Sequence, residues 1–211
     1  MPRYWLSRVA LGAAARVRAA GCLVLLVWTG VDHANAAPVR IMPLGDSITR
    51  GTNDINFPNG DIPGGYRREL GVRLANAGMD FDFVGAKSDN SAPGTDPDHN
   101  GNNGFRTDEI LSILPGLLDV DPDMVLLMAG TNDMLQAVPI ATAVENLENL
   151  IWQITGDDPD RRLYVATILP ITQNWNGQSA AVLNANANLY NDEVRDLVAD
   201  HASQGRKVHL V

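Results

Sequence analysis

Five apolar runs bounded by turn residues constrain this chain more than any other feature: VRIMPLG (39–45), FDFVG (81–85), MVLLMAG (124–130), LYVATILP (163–170) and KVHLV (207–211). A strand with one wet face alternates polar and apolar residues, whereas a run with little alternation is buried on both sides. Amphipathic segments separate the runs. Strand–helix alternation of this kind predicts an α/β fold of three layers, with a five-stranded parallel sheet between helices.

The helical segments have readable limits. GYRRELGVRLANAG places Tyr66, Leu70 and Leu74 at four-residue spacing, with Gly78 as a stop. TDEILSILPGLL opens on Thr107 as an expected N-cap, and Pro115 is expected to end or bend it. A third stripe joins Ile140, Val144, Leu147 and Ile151, and a fourth joins Leu183, Ala187, Tyr190, Val194 and Leu197. Residues 87–103 are rich in Asp, Asn, Gly and Pro and read as one long loop, a length that usually serves function.

Residues 1–36 read as a secretory signal, with residues 37–211 as one domain. Arg3, Arg8, Arg16 and Arg18 precede an apolar run at 19–31, and Ala34 and Ala36 give the small residues of a cleavage site. The run is short for a transmembrane span. The expectation is therefore a secreted, extracellular protein. Past residue 36 the chain carries twelve basic and twenty-four acidic residues, a formal charge of −12. That surface disfavours nucleic acid and anionic membranes and is indifferent to neutral sugars. Cys22 lies inside the apolar run, so the domain has no thiol nucleophile, disulfide or cysteine metal site. A monomer is expected.

Parallel sheets bind ligands at the carboxyl ends of their strands. GDSIT follows the first run, which presents the Ser47 hydroxyl at a strand end; a serine there is also a common helix cap. GTND follows the third run and carries Asn132, a residue also favoured in turns. NNGFRTDEI sets Gly104 in an extended loop before a helix, where its backbone N–H can approach a ligand closely.

Together these pieces resemble the SGNH (GDSL-like) hydrolases. GDSIT matches their first block, Gly104 the second-block glycine and GTND the third block. IMPLGDSITRG, GYRRELGVRLANAGMDFDFVG and DPDHNGNNGFRTDEI are similar, more narrowly, to the family 3 carbohydrate esterases, many of which are acetylxylan esterases. The resemblance runs from about Val39 to the last residue. It implies a flavodoxin-like strand order of 2-1-3-4-5. It also implies Ser47 as nucleophile, oxyanion donors at the Ser47 and Gly104 N–H groups and the Asn132 amide, and no metal or organic cofactor. The implied substrate is an acetylated polysaccharide or oligosaccharide.

The resemblance further implies an Asp-x-x-His in a loop after the fifth strand. None is read anywhere in the chain, and the expectation is a chain that stops short of that block and of a final helix, with little or no activity of its own. His99 is a weak substitute base without an evident orienting carboxylate, His201 reads as a helix-end residue and His209 as a strand residue. DPDHNG, at 96–101, has the opening spacing of a calcium loop, but Thr107 stands where a bidentate Glu is needed. Two other functions compete: a lipid or thioester hydrolase of the same superfamily, and a non-catalytic carbohydrate-binding remnant that uses Phe57 and Trp175 to stack on sugar rings.

Overall fold

A computed structural model describes residues 37–51, 63–89 and 94–211. The expected signal segment, Cys22 and Phe57 lie outside the described residues. The elements run β1 (Val39–Gly45), α1 (Ser47–Arg50), α2 (Tyr66–Asn76), β2 (Phe81–Phe83), β3 (Lys87–Ser88), β4 (Asp98–Gly101), α3 (Thr107–Leu118), β5 (Met124–Met128), α4 (Thr131–Leu135), α5 (Ile140–Asp157), β6 (Arg162–Val165), α6 (Ala180–Ser203) and β7 (Val208–Leu210).

The expected five strands form one parallel sheet in the order β2-β1-β5-β6-β7, the implied 2-1-3-4-5. Residues 41–45 are all buried, as their unalternating sequence requires. The core joins Met42, Leu44, Val125, Leu127, Leu163 and Val165 from the sheet to Ile110 and Leu114 of α3. Leu147, Leu150, Ile151 and Ile154 of α5 complete it with Ala187, Tyr190 and Val194 of α6. Among the described residues no helix is long and apolar enough to cross a membrane.

Three expectations need correction. The loop at 87–103 contains two short strands, not one irregular path. β4 pairs in parallel with β1 through Leu44↔Asn100 and Gly45↔Gly101, beyond the point where β2 stops at Ile41↔Phe83, and β3 pairs antiparallel with β4. DHNG becomes a strand despite poor strand residues because it completes the unpaired carboxyl end of β1. Thr107 is the first residue inside α3 rather than its cap: Arg106 occupies the cap position, and the Thr107 hydroxyl donates to Asp133 instead. Pro115 does not end α3, which continues to Leu118, because Leu117 and Leu118 pack on the core past it.

Candidate active site

Gly45, the last residue of β1, lies where three elements meet. A Cβ there would stand 2.3 Å from the Met128 carbonyl oxygen and 2.5 Å from Thr49 Oγ1. Glycine therefore lets the chain turn sharply out of the sheet. Asp46 then caps α1, its Oδ1 accepting from the Ile48 N–H at 2.8 Å, and Ser47 opens that single helical turn. The far end of α1 is held as well. The buried Arg67 of α2 donates to the carbonyl oxygens of Thr49, Arg50 and Pro97, each at 3.1 Å. Gly101 of β4 presses on the Arg50 backbone so closely that a Cβ would lie 2.3 Å from its nitrogen.

β1 lies between β4 and β5, so three adjacent strand ends carry the three candidate residues. Ser47 follows β1, Asn132 follows β5 as the second residue of α4, and Gly104 follows β4. The Asn102 N–H donates to Gly45 O at 2.9 Å as the chain leaves β4. Asn132 joins all three segments: its Nδ2 donates to Phe105 O at 2.9 Å and faces Asp46 Oδ2 at 3.4 Å. Gly104 is exposed with φ +75°, a left-handed conformation that favours glycine, and its N–H makes no hydrogen bond among the described residues. The structure thus brings Ser47, Gly104 and Asn132 to one edge.

Two carboxylates beside these residues went unread in the sequence. Asp46 is completely buried, and burial pushes its carboxyl up to about 6 against the pull of the Ile48 N–H. Asp133 is buried too; its Oδ2 accepts from the Thr107 N–H at 2.9 Å and its Oδ1 from the Thr107 hydroxyl at 2.6 Å. Burial raises its pKa, and the two Thr107 bonds oppose the rise. The available signal was position: each Asp adjoins a candidate site residue, Ser47 or Asn132.

The histidines lie elsewhere. His99 does have an orienting carboxylate, contrary to expectation, and it stands in β4 rather than a loop. Its Nε2 meets Asp89 Oδ1 at 2.9 Å, while its Nδ1 accepts the Gly101 N–H at 2.9 Å. The Nδ1 contact fixes the proton on Nε2. Both nitrogens are therefore engaged, and burial lowers the pKa. Residues 96–99 do contain an Asp-x-x-His spacing, at Asp96 and His99, but no dyad forms. Asp96 accepts from the N–H groups of Phe83, at 2.7 Å, and Asp98, at 3.1 Å. Asn100 Oδ1 accepts from the Ala86 N–H at 2.8 Å, so the presumptive calcium loop uses its ligands to fasten backbone. His201 ends α6 on the approach to the amino end of β7, and burial keeps it neutral instead of charged against the helix end. His209, in β7, lies against the Tyr164 ring with centroids 5.1 Å apart.

The GDSL-like lipase/acylhydrolase family profile matches residues 44–205, and the chain belongs to that family of carboxylic ester hydrolases. A family 3 carbohydrate esterase of Clostridium thermocellum is 32% identical and superposes with a TM-score of 0.69, over 83% of this chain and 78% of that one. A carbohydrate esterase of family 3 from Talaromyces cellulolyticus shares the fold, with a TM-score of 0.63 and 23% identity over 82% of this chain and 77% of that one. A multidomain esterase of Ruminococcus flavefaciens is 28% identical over 80% of this chain. The chain spans about a quarter of that curated relative's length, 24%.

Proposed function

We propose that this chain is the catalytic body of a secreted serine esterase that removes acetyl groups from xylan or a related plant polysaccharide. The observation that carries the reading is the meeting of Ser47, Gly104 and Asn132 at three neighbouring strand ends. Ser47 Oγ attacks the acyl carbonyl, its proton passes to a base, and the C–O bond to the sugar breaks as the alcohol leaves. Water then releases acetate from the acyl-serine. The N–H groups of Ser47 and Gly104 and the Asn132 amide stabilise the oxyanion, and a donor of this kind is worth ~2.7–4 kcal/mol of barrier. The Asn132–Asp46 contact, at 3.4 Å, is long, and the forming oxyanion competes for that hydrogen.

The similarity to a family 3 carbohydrate esterase supports a carbohydrate substrate, and the acidic surface disfavours anionic membranes without bearing on neutral sugars. Trp175 adds an aromatic platform. It is half exposed, in the loop that leaves β6 on the same side of the sheet as Ser47, and its backbone pairs with Gln178. No described histidine is placed to take the Ser47 proton. The test compares phenyl acetate and acetylated xylan hydrolysis by three proteins: the 211 residues alone, the chain extended by a family-type segment bearing Asp-x-x-His, and that extended chain with Ser47→Ala. The first should keep only a trace of activity, of the ~10³–10⁴-fold over water that binding and donors supply without a base. The second should gain several orders of magnitude and the third should lose the gain. An extended chain indifferent to Ser47→Ala sinks the reading, whereas full turnover by the 211 residues alone overturns only the expectation of a missing base. For residues 1–36, N-terminal sequencing of exported protein should start near Ala37.

A further inference from the structure

The segment from Gly104 to Thr107 is gripped almost residue by residue from one short helix. Gln136 Nε2 donates to Gly104 O at 3.2 Å, Asn132 Nδ2 to Phe105 O at 2.9 Å, and Asp133 takes both hydrogens of Thr107. Gln136 follows α4 directly, and its N–H donates to Asn132 O at 2.9 Å, so the two amides ride on one turn. The orientation of Gln136 is itself set. Arg106 clasps Asp108 through Nε at 2.9 Å and Nη2 at 3.0 Å, and directs Nη1 to Gln136 Oε1 at 2.8 Å. A guanidinium only donates, so the amide oxygen must face Arg106 and the amide NH₂ must face Gly104.

Gly104 is the third residue of a turn closed by the Phe105 N–H donating to Asn102 O at 3.2 Å, and the Gln136 bond adds a hold on its carbonyl. Gly104 is exposed, has φ +75°, and a Cβ placed there would touch nothing within 4 Å, so packing does not define its peptide. A glycine without packing samples a wide range of backbone conformations. We propose that Gln136 is a positioning residue for ester hydrolysis: together with Arg106 it fixes Gly104 so that the Gly104 N–H and the Asn132 amide converge on one oxyanion. The proposal rests on the reading of those two groups as oxyanion donors. Gln136 acts through the Gly104 carbonyl, which its Nε2 holds at 3.2 Å.

Two exposed-site variants of the full chain separate this role from a structural one. Gln136→Met keeps the length and removes both hydrogen bonds. Gln136→Glu keeps an acceptor for Arg106 and turns a second oxygen toward Gly104 O. Both should leave Tm within about 3 °C, as expected of surface substitutions. The NMR order parameter of the Gly104 amide should fall from the rigid value, ~0.85, to below ~0.6. The Ser47-dependent rate of phenyl acetate hydrolysis, taken as the difference from the matching Ser47→Ala protein, should lose about tenfold in kcat with KM changed less than about twofold. An unchanged Gly104 order parameter overturns the proposal. So does a lower order parameter with unchanged kcat, provided the rate depends on Ser47. If Ser47→Ala leaves every rate unaltered, the ester-hydrolysis reading falls instead, and the order parameter alone decides whether Gln136 fixes Gly104.

Discussion

The two edges of the sheet bury different titratable groups. At the carboxyl edge two buried acids, Asp46 and Asp133, each accept hydrogen bonds at a helix start, beside the buried Arg67 that holds the end of α1. At the amino edge two buried groups are Arg161 and His201, and Arg161, just before β6, donates to Pro122 O at 2.9 Å and to Ile154 O at 3.1 Å near the end of α5. A guanidinium keeps its charge at every pH a protein survives, and a cation suits a helix carboxyl end. A buried carboxyl can relieve its desolvation by taking a proton. Arg161 is therefore a fixed clasp, whereas the carboxyl edge responds to pH near the value of Asp46 and the amino edge through His201.

The largest expected effect comes from the tightest point of the carboxyl edge. Gly45→Ala sets a Cβ against the backbone oxygen of Met128, which no side-chain rotation relieves. Urea unfolding should show a loss of about 3 kcal/mol, the upper part of the usual range for overpacking. A loss under half of that would mean the edge is softer than its contacts imply.

Asp46→Asn comes next and tests the charge difference directly. With its pKa raised to about 6 in the fold, Asp46 binds more protons folded than unfolded between its ordinary value of 3.8 and 6. Stability from this group is thus highest at low pH and falls as pH rises through that window, by on the order of 3 kcal/mol. The Asn variant should lack that component, so the difference between the two urea curves should grow from pH 4 to pH 7. A constant difference would place the Asp46 titration elsewhere.

The smallest effect lies at the amino edge. His201 is buried under Trp152, with ring centroids 5.3 Å apart, and neither ring nitrogen has a hydrogen-bond partner among the described residues. Arg206 stacks on Trp152 at 3.5 Å and, after burial, also lowers the His201 pKa; Glu148 and Asp200 oppose the shift. As pH drops below the ordinary value of 6.5, the unfolded chain takes up this proton more readily than the fold, and stability declines. His201→Leu should remove that decline and add about 1 kcal/mol at neutral pH by eliminating two unpaired nitrogens. A destabilised Leu variant would point to a partner for the ring.

β1 was legible because burial on both faces leaves no polar alternation over residues 41–45, whereas β2 and β7 are partly exposed and were read from their apolar residues and bounding turns. Ser47 and Asn132 were legible because each directly follows such a run. β4 was not, since Asp98, His99, Asn100 and Gly101 have no strand pattern, and the segment is a strand only because β1 extends past β2. The same gap hid the engagement of His99, whose partner Asp89 lies in another part of the supposed loop. Pro115 does not end α3 for the opposite reason: the local stop signal yielded to the packing of Leu117 and Leu118. Gln136 and Arg106 are ordinary surface residues in sequence, and only the folded path of residues 104–107 shows what they hold.

The central place of β1 governs when the site can exist during synthesis. Its partners β2, β4 and β5 all come later in the chain, and 83 residues separate Gly45 from Met128. At ordinary translation speeds that interval lasts about 4–17 s. Through that time the first strand made is an apolar segment without neighbours on one side, and Ser47 sits on an unformed turn. The proposed nucleophile, Ser47, is written early and assembled late, so on that reading the nascent chain cannot acylate itself on a passing ester until most of its sheet has been made.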